Sequence, residues 1–361
     1  MRVVAHNGAR IVGGAERATI LLLSGLQSRG HDVLLLCNDA SVVSHAEASG
    51  VPARVAIIGG DLSLMYAKAF SETLDAERPD AVIVGTWKKL FFASRAAKRA
   101  GAQMVVARVG LESDTPRSAK YRYALRHWTD MVVVNAERMA PAFRNLDGFA
   151  ADRVRVIHNG VAAPERQSPS GSLRAQLGIE PRARVIGTVA RLAKQKRLDR
   201  LIRVLASLPD DVHCIIAGDG PERTAILKQI ESIPNPSRVH FLGHRENKGD
   251  ILDALDVFVM TSDKEGLSNA MLEAMAFGLP VVSTPVSGAL EALGRDESGN
   301  PAGTITAFDE SSIARAISEL LDDPHLRQRI GSTARARAAS KFSLDSMLDS
   351  WEEVLTAEGG R

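Results

Sequence analysis

Two glutamates separated by seven residues, Glu265 and Glu273, stand in the run Glu265-Gly-Leu-Ser-Asn-Ala-Met-Leu-Glu273, where a loop turns into a helix. Ser268 is a good N-cap, and the helical run from Asn269 is stopped by Gly278 and Pro280. Gly266, Leu267 and Ser268 therefore lie at a helix N-terminus, where free backbone N–H groups and the positive end of the helix dipole favour an anion such as a diphosphate. Glu273, about one turn further in, can then reach a pair of sugar hydroxyls. Taken alone, the segment describes a capped surface helix equally well.

Other chemistry follows apolar, strand-like runs. After Val189 come Arg191 and Lys196, a guanidinium fork and an ammonium point charge that can close on one diphosphate and stabilise a departing nucleoside diphosphate without a metal. The alternative is a surface pair. Asn7 to Glu16 is a glycine-rich turn in which Gly13 and Gly14 open a helix and allow close approach of a ligand; a plain turn has the same composition. Gly218 begins Gly-Asp-Gly-Pro-Glu after another strand, and Gly243-His-Arg245 ends the next, where backbone can meet a base and Arg245 can stack on it. No Walker loop, dinucleotide fingerprint, His-x-x-x-His, Cys-x-x-Cys or Gly-x-Ser-x-Gly appears.

These residues need strand ends to hold them. Apolar strands are expected at Arg2 to His6, Val33 to Cys37, Val55 to Ile58, Ala81 to Gly85, Met104 to Arg108, Met131 to Asn135 and Val154 to His158. The pattern restarts at Val185 to Val189, His213 to Ala217, Val239 to Leu242, Val257 to Thr261 and Val281 to Ser283. Fully apolar strands alternating with amphipathic helices indicate two doubly wound α/β domains with parallel sheets. The expected division is residues 1–163, a Pro/Ser/Gly-rich linker over 164–172, a second domain over 173–342, and a terminal helix over 343–361 that packs its Trp351 back on the first domain. Two such domains leave a cleft between the carboxyl edges of their sheets.

The 361 residues are 45% apolar and 24% charged, ordinary for a globular enzyme and too long for one core. No run of 18 apolar residues and no leader is read, and Cys37 and Cys214 lie in apolar strands, so a cytoplasmic protein with reduced thiols is expected. The formal charge of +2 conceals an asymmetry: between Thr86 and Arg126 ten cations, among them Lys88, Lys89 and Arg108, face only Glu112 and Asp114. Such a stretch suits a phosphorylated acceptor or an anionic membrane surface, or is a solvated face of two helices. Nucleic acid is not expected as a partner, since no binding motif occurs and aromatics make up 4%.

In this order the pieces resemble the family 4 glycosyltransferases, retaining nucleotide-sugar enzymes of GT-B fold. The resemblance runs from Gly13-Gly-Ala-Glu16 through Val156 to Val161, Gly187 to Leu192 with Lys196, and Ala217 to Glu222, to Glu265 and Glu273. It implies a first domain that binds the acceptor and a second that binds the donor, with no cofactor beyond the nucleotide sugar. Arg191 and Lys196 would hold the diphosphate, Gly266 and Leu267 would offer backbone, Glu273 would take the ribose, Glu265 would lie against the transferred sugar, and Gly14 would lie near the donor phosphate. Many members carry histidine where this chain has Arg108, a group that cannot act as a base. Arg197 likewise replaces a glycine usual after the lysine. The expectation is a metal-independent hexosyltransferase acting on a glycan, lipopolysaccharide or lipid-linked acceptor, peripheral to a membrane, with Lys88 and Lys89 as acceptor contacts. A sugar-nucleotide isomerase or hydrolase on the same scaffold, or a nucleotide-sugar-binding protein without turnover, is the alternative.

Overall fold

The computed structural model describes residues 1–8, 13–56, 64–111 and 114–357, with residues 64–67 by backbone alone. Positions 9–12 of the glycine-rich turn, residues 57–58 of the expected third strand, and Glu112 lie outside the described residues. The chain divides into two compact units, Met1–Gly160 with Leu344–Arg361, and Val161–Ser343.

In the first unit β1 (Arg2–Asn7), β2 (Asp32–Cys37), β3 (Ala53–Val55), β4 (Ala81–Val84), β5 (Met104–Val109), β6 (Met131–Val134) and β7 (Val154–Val156) form one parallel sheet in the order β3-β2-β1-β4-β5-β6-β7. The register puts Val3 beside Val33 and Ala81, and Ala5 beside Leu35 and Ile83. Both faces are covered by helices, which is why these strands read as unbroken apolar runs rather than alternating ones. The terminal helix Leu344–Thr356 lies in this unit: Trp351, 1% exposed, shares a core with Leu22, Leu23 and Leu26 of helix Gly14–Ser28. Gly25 permits that contact, since a Cβ there would come 2.6 Å from Leu348. Arg29 seals its edge with bonds to Asp349 and Glu352, each at 2.6 Å.

The second unit holds β8 (Arg184–Val189), β9 (Val212–Ala217), β10 (Val239–Gly243), β11 (Val257–Met260), β12 (Val281–Ser283) and β13 (Thr304–Ile305), parallel in the order β10-β9-β8-β11-β12-β13. The short β13 was not among the expected strands. Residues 164–172, read from composition as a linker, belong to this unit and are bonded to it: the backbone N–H groups of Gln167 and Ser168 donate to Asp250, and that of Gly171 to Asp253. Cys37 and Cys214 are buried and free.

Two local features generate measurable consequences. His6 is fully buried in β1, edge-on to Phe70, and burial with the nearby charge of Lys89 pushes its imidazole down to about 3. A histidine whose folded value lies below the ordinary 6.5 supports the fold above that value and loses this support as pH falls. Between pH 7.5 and 5.5 the protein is expected to lose about 1 kcal/mol through His6, so denaturant titrations of His6→Asn should show a pH dependence shallower by that amount. An unchanged pH dependence would contradict it.

Arg197 adopts φ +50°, the left-handed region where a non-glycine residue costs about 1 kcal/mol. Its guanidinium offsets this with bonds to Asp199 and Asp263, each at 3.0 Å. Arg197→Ala keeps the backbone cost and loses the bonds, whereas Arg197→Gly removes both. Arg197→Ala should therefore unfold with about 1 kcal/mol less stability than Arg197→Gly; equal midpoints would show that the left-handed backbone is not a cost here.

Candidate functional site

The carboxyl edge of the second sheet collects the side chains that can do chemistry. Leaving β8, the chain passes Ala190, Arg191 and Leu192, makes a single 3₁₀ turn at Lys194–Lys196, and enters helix Leu198–Ser207 at Arg197. The neighbouring strand end holds this run by backbone. Leu192 donates to the carbonyl of Asp219 at 2.9 Å and accepts from the N–H of Glu222 at 3.0 Å. Gly218 (φ +142°) has no room for a side chain, because a Cβ would sit 1.8 Å from the Ala190 carbonyl oxygen. That packing accounts for the glycine without any ligand. Gly218 also donates its N–H to the carbonyl of Gly243 at 2.7 Å.

From the other side the end of β11 grips the same run. The Thr261 hydroxyl donates to the Arg197 carbonyl at 2.9 Å, and Asp263 accepts from Arg197 and Arg200 while its own N–H donates to the Gln195 carbonyl. Two loops tied this tightly bring Lys196 onto Glu265. Its ammonium is paired with the Glu265 carboxylate, which also accepts from Ser262 Oγ at 3.0 Å and is 7% exposed. A small cavity at this edge is lined by Thr188, Lys196, Thr261, Ser262 and Ser268.

Past Glu265, Gly266 and Leu267 lead to Ser268, whose hydroxyl caps helix Asn269–Phe277 by accepting from the Met271 N–H at 3.5 Å. Gly288 packs against this entry, and its N–H donates to the Gly266 carbonyl at 3.1 Å. Glu273, four residues into the helix, pairs with Lys248 Nζ at 2.5 and 2.8 Å. Lys248 is absent from the sequence-based list of site residues. Its signal was a charge out of place: it follows the N-cap Asn247 and opens helix Lys248–Asp253, the end where a cation is disfavoured. Arg191 and Arg245 are exposed and their guanidinium groups make no ion pair among the described residues. No group of three His, Cys, Asp or Glu able to hold a metal ion occurs among the described residues.

In the first unit Gly13 caps helix Gly14–Ser28, and its N–H donates to Glu16 Oε2 at 2.8 Å. Arg108, half-buried near the end of β5, donates to Thr19 Oγ1 at 2.7 Å and to Asn159 Oδ1 at 3.3 Å. Burial lowers its guanidinium to about 10, opposed by the charge of Glu16, so it still carries its proton at neutral pH.

Lys88 and Lys89, expected together as acceptor contacts, differ in exposure. Lys88 is exposed, but Lys89 is 6% exposed, because the short turn Trp87–Lys89 rotates it inward before helix Leu90–Arg99 begins. Lys98 is likewise committed to Asp130 at 2.6 Å. The outward part of this stretch is mixed with rings: Phe91 and Tyr123 stand edge-on to Trp128 at 5.0 and 5.2 Å, and Arg95 lies over Trp128 at 5.7 Å. No helix among the described residues is long and apolar enough to cross a membrane.

Comparison with known proteins agrees with this architecture. The Glycosyltransferase Family 4 model matches residues 12–163, and the Glycosyl transferases group 1 model matches residues 170–337. Over 230 residues the chain is 30% identical to the lipopolysaccharide core biosynthesis glycosyltransferase LpsE of Rhizobium meliloti, a match spanning 64% of this chain and 65% of LpsE, just under two thirds of its length. LpsD of the same organism, also a lipopolysaccharide core biosynthesis glycosyltransferase, is 27% identical over 343 residues, 93% of this chain and 94% of LpsD. Among solved structures, Anabaena Alr3699/HepE in complex with UDP and glucose aligns with a TM-score of 0.87 at 25% identity, over 99% of this chain and 100% of that one. Two parallel sheets of seven and six strands, two family matches that follow one another along the chain, and a structural neighbour of full length place this protein in glycosyltransferase family 4, with the GT-B fold.

Proposed function

We propose that the protein transfers a hexose-type unit from a nucleoside-diphosphate sugar, with retention of anomeric configuration and without a metal ion, to a phosphorylated or lipid-linked glycan acceptor in the synthesis of a surface polysaccharide or lipopolysaccharide. The observation that carries this reading is the convergence of Lys196, Glu265, Ser262 and the capped helix start at Ser268 on one strand edge, with Arg191 leaving the same edge and making no ion pair among the described residues. The names of LpsE and LpsD support the pathway, and the UDP and glucose bound by HepE support the donor class.

The chemistry follows from the charges. A diphosphate brought to this edge meets the positive end of the helix Asn269–Phe277, the fork of Arg191 and the ammonium of Lys196. With three donors, Lys196 can contact a phosphate oxygen without releasing Glu265. At an effective dielectric of about 20, each cation near 4 Å contributes on the order of 4 kcal/mol before desolvation. Placed where negative charge grows as the glycosidic C–O bond breaks, that contribution lowers the barrier. Glu265, clamped by Lys196 and Ser262, accepts from hydroxyls of the transferred sugar and opposes the developing positive charge of its ring. The acceptor oxygen bonds to the anomeric carbon on the face the leaving group departs, and its proton passes to the departing phosphate oxygen. Arg108, already protonated, cannot take that proton.

The exposed arginines and ring cluster around Trp128 in the first unit suit an acceptor carried at an anionic membrane surface, since aromatic rings settle at the headgroup level and each cation near such a surface contributes about 1 kcal/mol.

Incubation with UDP-, GDP- and ADP-sugars in EDTA, with NMR of the product, is expected to show transfer with the donor's anomeric configuration. Lys196→Met and Glu265→Gln should keep the fold and lower kcat by about 10²- to 10³-fold. An inverted product, transfer that requires added divalent metal, or full activity of Lys196→Met would overturn the reading.

A further inference from the structure

The Lys248–Glu273 pair joins two helices whose starts lie 21 positions apart in sequence, and neither side chain is more than 18% exposed. A cation at the first residue of a helix works against the helix dipole, and an ion pair withdrawn from water returns little net stability. Lys248 is nevertheless held there firmly. The carbonyl oxygen of Glu165 occupies the space a side chain on Gly249 would need, 2.0 Å from its Cβ position. The N–H groups of Gln167 and Ser168 donate to Asp250 at 2.8 and 3.1 Å, and that of Gly171 to Asp253 at 2.9 Å. Residues 165–171 thus strap helix Lys248–Asp253 in place, and the ammonium it carries spans both oxygens of Glu273.

A carboxylate offers about four lone-pair sites. With Lys248 on one side of both oxygens, each oxygen keeps a site on the other side, and the plane of the group is fixed. Two oxygens on a carboxylate of fixed plane, each with acceptor capacity left, suit two hydroxyls.

We infer that Lys248 is a positioning residue for the donor: it holds the Glu273 carboxylate so that its two oxygens accept from the 2′- and 3′-hydroxyls of the nucleoside diphosphate. The inference rests on the donor reading above and adds to it a residue that acts only through Glu273. Its effect should therefore vanish when the ribose hydroxyls are absent, which a general loss of structure would not do.

Calorimetric titration with UDP, GDP and ADP identifies the nucleotide that the wild-type protein binds, and the same titration is then run with its 2′,3′-dideoxy counterpart. Lys248→Met should weaken binding of the ribonucleotide by about tenfold or more, the range of a hydrogen bond to a charged group, and change binding of the dideoxy analogue less than about twofold. Lys248→Arg, which can span both oxygens, should recover most of the loss. If circular dichroism shows Lys248→Met unfolded, Lys248→Gln carries the same comparison. Equal weakening of both ligands, or no weakening of either, overturns the inference. Failure of the wild-type protein to bind any of the three nucleotides overturns the donor reading instead.

Discussion

The run from Ala190 to Arg197 is pinned between two strand ends, and the proposed donor site depends on that clamp. On one side the Ala190 and Leu192 carbonyls press on Gly218 and Gly220, where a Cβ would come within 1.8 and 2.5 Å of them. On the other, Thr261 and Asp263 take the carbonyl and guanidinium of Arg197. The loop has almost no freedom left, so Lys196 meets Glu265 in a defined place and Arg191 leaves the strand end at a fixed point. Preorganisation of this kind is what lets fixed charges act on a transition state, because the loop need not reorganise as charge develops.

Both glutamates of the site are held by lysines, and the two pairs differ in use. Lys196 stands at the strand end where the proposed diphosphate would arrive, and it has donors enough for a phosphate beside Glu265. Lys248 is bound into a helix start strapped by residues 165–171 and serves Glu273 alone. Neither pair is a strong argument for stability, since desolvation consumes most of the attraction; fixed orientation of the two carboxylates is what they supply. Arg108 in the first unit follows the same logic. Thr19 and Asn159 hold it, and burial lowers its guanidinium without discharging it at neutral pH.

Much of the fold was legible because strands buried on both faces leave unbroken apolar runs, as Val33 to Cys37 and Val257 to Met260 show. The helix start at Ser268 was legible from its cap, and Arg191, Lys196 and Glu265 from their places after strand ends. What stayed hidden depends on partners distant in sequence. Lys248 and Glu273 are 25 positions apart, Lys196 and Glu265 are 69 apart, and no local pattern announces either pair. Residues 164–172 have the composition of a linker, yet their backbone N–H groups are spent on Asp250 and Asp253, which composition does not reveal. Lys89 turned inward for a similar reason: one 3₁₀ turn sets its direction, and charge alone suggested a surface pair. The close packing of Gly218 against the Ala190 carbonyl was hidden for the same reason, since its partner lies at the end of another strand.

The most direct measurement of the central claim, that the carboxyl edge of the second sheet holds a nucleoside diphosphate through its own cations and Glu273, is thermal unfolding with UDP, GDP or ADP, each with and without EDTA. At about a hundred times its dissociation constant a bound nucleotide stabilises the fold by about 2.7 kcal/mol. The account predicts a rise in Tm with one of the three that EDTA leaves unchanged and Glu273→Ala abolishes. No rise with any of them, or a rise that Glu273→Ala leaves intact, would contradict it.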